Sequence, residues 1–362
     1  MLADENLSPV YLAFDALDEC AEATEDTPSV QGLISLIAGT LSCTGQNSKK
    51  IKWLVSSRPE VDVYNKLQPA REEAVIELDV MAHKEPVDAY VNHQLSQLRI
   101  KHKYTQDKLD AISAELRRHE NLTFLWIALV LKDLLTGDVT QRKAVQHVQG
   151  TPPKLSEIYD RMMERIEKIM DEEGKELCMR LLEAVCFASR PVSYAEAQAV
   201  AGLPSDATDE ILQICGSFLT SHDGTVHILH NSTRQHLTAY FESNRKGGAG
   251  QIHESIAKRS IAAMSDGLRY NMYGLNAGTE STDIIAREDY GPLASLCYSC
   301  EFWVDHLCGP DGPREGQLLD DGAAFVFLEK HFLHWLEALS LIHKLPTALS
   351  SIRKLISNLK KV

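Results

Sequence analysis

Short apolar runs alternate with helical periodicity in the first eighty residues. Val10–Phe14 and Ile51–Ser56 are apolar runs of strand length, and Ala74–Leu78 is a third. Between the first two runs, apolar residues recur at helical spacing from Val30 to Leu41. Strands that alternate with helices favour a parallel sheet. The pattern therefore predicts an α/β segment over residues 1–80.

Helical periodicity dominates the rest of the chain. It predicts a helical subdomain over residues 81–153, which ends at a turn-forming Thr-Pro-Pro segment. Over residues 154–243 the pattern predicts helices followed by two short strands around Asp223-Gly224. This pair predicts a hairpin, because glycine tolerates the positive φ of a tight turn. Helices followed by such a hairpin are typical of a winged helix. The Gly-rich residues 244–250 predict a flexible linker, and residues 251–362 a helical extension.

The composition excludes several classes of protein. Lys and Arg number 37 against 51 Asp and Glu, which gives a formal net charge of −14. Phosphate-backbone binding needs a surplus of cations, so we expect no nucleic-acid partner. The longest apolar run, Leu122–Leu131, is about half as long as a bilayer-spanning helix, so no membrane span is expected. Residues 1–20 have neither a basic start nor a small-residue cleavage site, which argues against a signal peptide.

The cysteines indicate a reducing compartment. Eight scattered cysteines in a chain of 362 residues are typical of buried thiols rather than of a disulfide framework. Cys297, Cys300, His306 and Cys308 have a spacing that suggests zinc. However, they fall on one predicted helix, which cannot easily surround a tetrahedral ion, so we expect buried thiols there. The sequence therefore predicts a cytoplasmic or nuclear protein, and we take the cytoplasm as the expected location.

Acidic residues follow the first predicted strand. Asp15 comes directly after Val10–Phe14, and Asp18 and Glu19 follow three and four residues later. A carboxylate at a strand end can bind Mg²⁺, and a later acid can polarise the attacking water. Arg58 follows the second strand and can contact a γ-phosphate at the same sheet edge. The alternative interpretation is an apolar strand entering an acidic loop, with Arg58 at the surface.

These motifs resemble the NACHT-type signalling NTPases, in particular the fungal branch akin to the nephrocystin-3 N-terminal module. Asp15–Cys20 is similar to the Walker B element of that family, and Ser56–Pro59 is similar to its sensor-1 element. Further similar segments follow in the family's order: Thr123–Ala128, Pro152–Arg161, Cys215–Leu219, Val226–Ser232, Phe302–Leu307 and His331–Leu341.

The resemblance implies roles for the N-terminal residues. Asp15 would bind Mg²⁺, Asp18 and Glu19 would position or activate water, and Arg58 would contact the γ-phosphate of ATP.

It also implies two contacts from the later domains. Pro152 would pack near the base of the nucleotide, and His230 would contact the phosphates of bound ADP from the winged helix. The alternative for His230 is a strand-end histidine hydrogen-bonded to a neighbouring backbone group.

The sequence departs from the family at the phosphate cradle. A Gly-x-x-x-x-Gly-Lys-Ser/Thr string, whose backbone N–H groups and lysine hold the β- and γ-phosphates, does not occur in the chain. The resemblance therefore implies a chain truncated upstream of Walker B. We expect it to bind Mg²⁺ and ATP or ADP only weakly, and to be inactive as an NTPase alone.

These observations predict a mainly α protein with a partial α/β P-loop NTPase sheet at the N-terminus, followed by helical and winged-helix domains. Its function would be that of a fragment or degenerate member of a nucleotide-dependent signalling switch of an innate-immunity-like system. Its partners would be proteins, either a second copy or a missing effector or repeat domain. The alternative is a non-enzymatic helical and winged-helix protein-interaction module. The acidic Asp209–Cys215 segment disfavours DNA binding by the winged helix.

Overall fold

The structure is a computed structural model of the chain. It describes residues 8–17, 30–42, 50–57, 84–118, 123–136, 139–275, 291–309 and 322–359. The chain divides into two compact units, residues 1–84 and residues 85–362. The described part is mainly helical, with a parallel strand pair in the first unit and a three-stranded antiparallel sheet in the second. The prediction of a mainly α protein with small sheets is confirmed.

The first unit contains the predicted parallel strands. Strand β1 (Val10–Phe14) pairs with strand β2 (Ile51–Val55), and helix α1 (Val30–Ser42) connects them in sequence. A parallel pair needs such a crossover because both strands run in the same direction. The third predicted strand, Ala74–Leu78, lies outside the described residues.

Helix α1 and strand β2 are joined by a polar contact at the edge of an apolar layer. Ile34 and Ile37 of the helix are buried. Trp53 of the strand donates its indole N–H to Thr40 Oγ1 at 2.9 Å. The Trp53 ring also stacks on Phe14 of β1, with ring centroids 5.6 Å apart. These contacts fix the helix against the strand pair.

Apolar helices begin the second unit. Trp126, Leu131 and Leu134 are completely buried, which accounts for the long apolar run in the sequence. Thr123 starts that helix by accepting the backbone N–H of Trp126 at its side-chain oxygen. The helices of this block are α2 (Lys84–His102), α3 (Gln106–Arg118), α4 (Phe124–Leu135) and α5 (Ala144–Gly150).

The next block combines helices with the antiparallel sheet. Met162, Met163 and Ile166 of its first helix are buried, so the methionine-rich stripe packs in the core as its periodicity predicts. The elements are α6 (Leu155–Ile169), α7 (Glu172–Cys186), β3 (Val192–Ser193), α8 (Tyr194–Ala201), α9 (Thr208–Ile214), β4 (Leu219–His222), β5 (Thr225–Ile228) and α10 (Asn231–Asn244).

Strands β4 and β5 form the hairpin that the Asp-Gly pair predicts. Asp223 and Gly224 have φ values of 48° and 74°, the left-handed conformation that a two-residue hairpin turn requires. Strand β3 adds to the other side of β5, so the sheet order is β3-β5-β4 with antiparallel pairing throughout.

The prediction of a flexible linker over residues 244–250 is wrong. Helix α10 ends at Asn244, and helix α11 (Gly248–Gly267) begins after three intervening residues. Gly247 takes a φ of 88°, so the glycines provide a tight corner rather than a flexible segment. Arg245 anchors the corner, because its Nε donates to the buried Glu183 at 2.6 Å. Composition alone cannot reveal that anchor.

A separate hydrophobic core joins the last helices. Trp303 and Trp335 are completely buried, with ring centroids 5.7 Å apart, and Trp335 donates its indole N–H to the Cys300 carbonyl at 2.8 Å. The helices are α11, α12 (Cys297–Leu307), α13 (Ala323–Leu341) and α14 (Leu345–Leu359). Cys297, Cys300 and Cys308 are buried, as the sequence predicts.

The last helix packs on the bundle through residues outside its heptad stripe. The four–three spacing of Leu345, Leu349, Ile352, Ile356 and Leu359 suggests either packing on the preceding bundle or a lead into a repeat domain. The structure buries Ala348, Ser351 and Leu355, whereas the side chain of Leu349 is 62% exposed. The helix therefore lies on the bundle as expected, with most of the heptad stripe at the surface. Among the described helices, none is long and apolar enough to cross a membrane.

Candidate functional site

The carboxyl ends of β1 and β2 lie at the same edge of the parallel pair. The register aligns Val10 with Ile51 and Phe14 with Val55. Asp15 and Ser56 are the next residues after the two strands, so both leave the sheet at the edge where α/β proteins bind their ligands.

Asp15 and Ser56 interlock through both side chain and backbone. Ser56 Oγ donates to Asp15 Oδ1 and accepts the Ala16 N–H at 2.8 Å. The Ser56 N–H donates to the Phe14 carbonyl at 2.9 Å, and the Leu17 N–H donates to the Ser56 carbonyl at 2.9 Å. These bonds hold the exposed Asp15 carboxylate at the mouth of the sheet.

Backbone strain accompanies this arrangement. Ala16 has a φ of 53°, a left-handed conformation that alanine rarely adopts. The hydrogen bonds from Ala16 and Leu17 to Ser56 hold that conformation in place. Strained residues of this kind concentrate at functional sites.

The structure describes one of the four predicted site residues of the first unit, the proposed metal ligand. Asp15 is at the predicted strand end, and Asp18, Glu19 and Arg58 lie outside the described residues. Ser56 was not predicted as a site residue. The signal for it was a hydroxyl directly after the second strand.

Pro152 lies in the second unit, buried beside the apolar helix α4. Its carbonyl oxygen accepts the indole N–H of Trp126 at 2.6 Å. The preceding turn is closed by Thr151 Oγ1, which donates to the His147 carbonyl at 2.7 Å, and by Arg161, whose Nη1 donates to the Gly150 carbonyl at 2.6 Å. Pro152 is therefore rigidly placed just before α6 begins.

His230 caps the amino end of helix α10. It lies directly before Asn231 in extended conformation, and its Nδ1 accepts the backbone N–H of Ser232 at 3.1 Å. This is the backbone contact that the alternative interpretation of His230 predicts. The side chain is nevertheless exposed, and within the described part of the chain its Nε2 makes no hydrogen bond. One ring nitrogen thus fixes the residue while the other faces outward.

A cavity of about 230 Å³ lies where helices α2 and α4 meet the residue that precedes His230. Leu229, the residue before His230, lines it together with Tyr90 and Gln94 of α2 and Leu125, Ala128, Leu129, Lys132 and Leu135 of α4. Its lining is mostly apolar, as in small-molecule sites.

Lys132 bridges α4 to the sheet block. Its Nζ donates to the Gly216 carbonyl at 2.7 Å and to the Leu219 carbonyl at 3.4 Å. Burial lowers the pKa of Lys132, and the neighbouring Asp133 opposes that shift. The only trace of this contact in the sequence is the charged Lys132-Asp133 pair within an otherwise apolar helix.

His306 of the cysteine-rich helix α12 already has a hydrogen-bond partner at each ring nitrogen. His306 pairs its Nδ1 with His253 Nδ1 at 2.8 Å and its Nε2 with the Tyr298 hydroxyl at 2.7 Å. Burial lowers the pKa of His306 to about 3, and burial raises the pKa of Cys297 to about 12. Over the described ranges, no three His, Cys, Asp or Glu side chains are grouped so as to hold a metal ion.

Comparison with known proteins gives one clear relative. No protein-family profile matches the chain, and no solved structure matches it. The chain is 35% identical over 380 aligned positions, 98% of its length, to the vegetative incompatibility protein HET-E-1 of Podospora anserina. It spans 27% of the length of that protein. The match therefore supports a fungal relative of NACHT type, at the level at which the sequence motifs suggested one.

Proposed function

We propose that the chain is part of a NACHT-type signalling switch that contacts a nucleotide. The observation that carries the proposal is the meeting of Asp15 and Ser56 at the carboxyl edge of a parallel strand pair. The chain that contains this pair has a fungal NACHT-type relative, and the match covers 98% of the chain.

Asp15 and Ser56 have the chemistry of a Mg²⁺ site in the first unit. Mg²⁺ prefers oxygen ligands and retains several waters, so one exposed carboxylate beside a hydroxyl suits it. When bound, the ion would offset charge on the nucleotide phosphates. The role of Asp15 is then to bind the ion, and that of Ser56 is to fix the carboxylate. In this proposal the acids Asp18 and Glu19 position or activate water, and Arg58 contacts the γ-phosphate.

The family resemblance also gives nucleotide contacts to two residues of the second unit. Its element order, helix α7, strand β3, helices α8 and α9, and then the β4–β5 hairpin, supports a winged-helix assignment, as does the β3-β5-β4 sheet order. His230 follows the hairpin and directs Nε2 outward, where it can donate to a phosphate oxygen. Pro152 would pack against the base. ATP for ADP exchange would then change how the winged helix is held.

We also propose that this polypeptide binds nucleotide weakly by itself, because its sequence has no Gly-rich, lysine-containing phosphate cradle. The proposed partners are proteins, by self-association or through an effector or repeat domain, and the proposed location is cytoplasmic. Turnover of ATP by this chain alone is not expected.

Two measurements on the 362-residue chain test these proposals. Calorimetric titration with ATP and Mg²⁺ should give no micromolar binding; a micromolar dissociation constant would contradict the weak-binding proposal. Saturation-transfer NMR with millimolar ADP and Mg²⁺ should detect weak contact. Asp15→Asn and His230→Ala should each reduce the signal severalfold, since each removes a contact to a charged group.

Asp223→Asn is the matched control. Asp223 is exposed in the hairpin turn, and asparagine tolerates its positive φ, so the variant loses one negative charge without affecting the proposed site. If Asp15→Asn and Asp223→Asn change the ADP signal equally, the effect is one of net charge and Asp15 has no special role.

A second candidate, a protein-interaction module without nucleotide chemistry, is favoured by helix α14. Leu345, Leu349, Ile356 and Leu359 are each 46–62% exposed along one side of the helix. Sedimentation of the wild type and of Leu349→Glu/Ile356→Glu tests this candidate. Self-association that the variant abolishes, together with no ADP contact in the wild type, would favour the interaction module over the switch.

A further inference from the structure

A chain of hydroxyl groups connects helix α6 to His230. The Tyr159 hydroxyl of α6 lies 2.9 Å from Ser232 Oγ and accepts a hydrogen bond from Thr233 Oγ1 at 3.1 Å. Ser232 Oγ lies 2.8 Å from His230 Nδ1. Tyr159 and Thr233 are buried, whereas His230 is exposed, so the chain runs from the interior to the surface.

One fixed donor sets the role of His230 Nδ1. The Ser232 backbone N–H can only donate, so Nδ1 is its acceptor. We assign the Ser232 hydroxyl as a second donor to Nδ1 and as the acceptor of the Tyr159 hydroxyl proton. Thr233 in turn donates to Tyr159. Each hydroxyl has one proton, and this arrangement uses each of them once.

This arrangement determines the tautomer of His230. With Nδ1 engaged as an acceptor, the proton of the neutral ring is on Nε2, the nitrogen that faces outward. A neutral imidazole held in this way presents one N–H donor at a fixed position. The Ser232 backbone N–H favours this tautomer by itself, and the Tyr159 hydroxyl adds to the preference by orienting the Ser232 hydroxyl as a second donor to Nδ1. Without the Tyr159 hydroxyl the Ser232 hydroxyl can turn and accept from Nδ1–H, so the other tautomer gains population.

We propose that Tyr159 is a positioning residue that holds His230 as an outward Nε2–H donor. The use of that donor for a phosphate oxygen rests on the proposed nucleotide function, but the tautomer itself does not. Tyr159 acts through Ser232 and does not contact the ligand.

The position of Tyr159 separates this role from packing. Its ring lies between Phe218, with centroids 6.4 Å apart, and His236, with centroids 5.2 Å apart. Tyr159→Phe keeps that ring and removes only the hydroxyl, so the fold should persist. Tyr104→Phe is the matched control, because the Tyr104 hydroxyl is buried and, in the described part of the chain, has no hydrogen-bond partner.

The test is the tautomer of His230 in chain labelled with ¹⁵N-histidine, read from long-range ¹H–¹⁵N correlations without nucleotide. His230→Gln assigns the signals. The wild type and Tyr104→Phe should show the Nε2–H form. Tyr159→Phe and Ser232→Ala should each increase the Nδ1–H population about fivefold, the effect of one hydrogen bond, and Ser232→Thr should restore the wild-type spectrum.

Two outcomes overturn the inference: mixed tautomers in the wild type, or no change in folded Tyr159→Phe. Titration of the same samples with millimolar ADP and Mg²⁺ then examines the nucleotide role separately. A phosphate contact predicts a shift of the His230 Nε2 signal and about threefold weaker binding in Tyr159→Phe. If the tautomer responds to Tyr159 but ADP shifts no His230 signal, the positioning role holds and the proposed phosphate contact is wrong.

Discussion

Replacing Arg245 with methionine measures how strongly the corner between α10 and α11 is anchored. Arg245 donates from Nε to Glu183 Oε1 at 2.6 Å and from its two Nη atoms to Glu176 Oε2 at 3.4 and 3.3 Å. The Glu183 side chain is 4% exposed and that of Arg245 is 33% exposed. Methionine retains an unbranched apolar stem and removes the charge and its hydrogen bonds.

The expected loss of stability comes mainly from Glu183. Removing one partner of a buried ion pair costs about 3–5 kcal/mol, because the remaining charge has no compensation. Water reaches Arg245, so we expect the lower end, about 3 kcal/mol at neutral pH. For a folded unit of this size the melting temperature should fall by about 5 °C, measured by far-UV circular dichroism.

The loss should also depend on pH. Burial raises the pKa of Glu183 above its ordinary value of 4.5, and the hydrogen bond and charge of Arg245 oppose that rise. Without Arg245, the folded-state pKa rises further. A raised carboxyl pKa means that the folded chain binds the proton more readily, so its stability is lost as pH rises through the folded pKa. The deficit of Arg245→Met should therefore be largest at neutral pH and shrink as pH falls toward 4.5.

Glu183→Gln/Arg245→Met is the control for this reasoning. Glutamine is neutral, so the double variant should regain part of the lost stability and show no pH dependence from this pair. An Arg245→Met variant as stable as the wild type at neutral pH would refute the anchoring role. A deficit that stays constant between neutral pH and pH 4.5 would show that the buried Glu183 charge is not its cause.

Three further stability changes are expected in urea unfolding. Trp126→Phe should cost about 1–3 kcal/mol, because the Pro152 carbonyl loses its buried donor. Leu349→Gln should change stability by less than about 0.5 kcal/mol, whereas Leu355→Ala on the buried face of the same helix should cost about 2–5 kcal/mol. Gly224→Ala should cost about 1 kcal/mol through its φ of +74° alone, since a Cβ there meets no other atom within 4 Å.

Local patterns predicted the elements well because each has a local cause. The strands β1 and β2 follow from continuous apolar runs, and the hairpin follows from Asp223-Gly224, whose conformation few other pairs adopt. The meeting of Asp15 with the end of β2 also follows, because parallel strands share a carboxyl edge. These predictions need no knowledge of distant contacts.

The errors concern contacts between residues far apart in sequence. The corner at residues 245–247 has the composition of a linker, and only the pairing of Arg245 with Glu183, 62 positions earlier, makes it rigid. The heptad stripe of α14 does not reveal which face packs, because Ala348 and Ser351 are small enough for close helix contact although they are weakly hydrophobic. The roles of Ser56 and Lys132 depend on partners that no local spacing identifies.

Helix α6 is connected to both proposed nucleotide contacts of the second unit, Pro152 and His230. Pro152 comes three residues before the helix begins at Leu155, and Tyr159 lies about 6 Å further along the helix axis. Trp126 fixes Pro152 from one side, and Tyr159 reaches His230 through Ser232 from the other. Arg161 of the same helix holds the turn before Pro152 through the Gly150 carbonyl, so we expect a displacement at Pro152 to move Tyr159 as well. Nucleotide contact at Pro152 and donor geometry at His230 should therefore change together, without a longer pathway through the sheet.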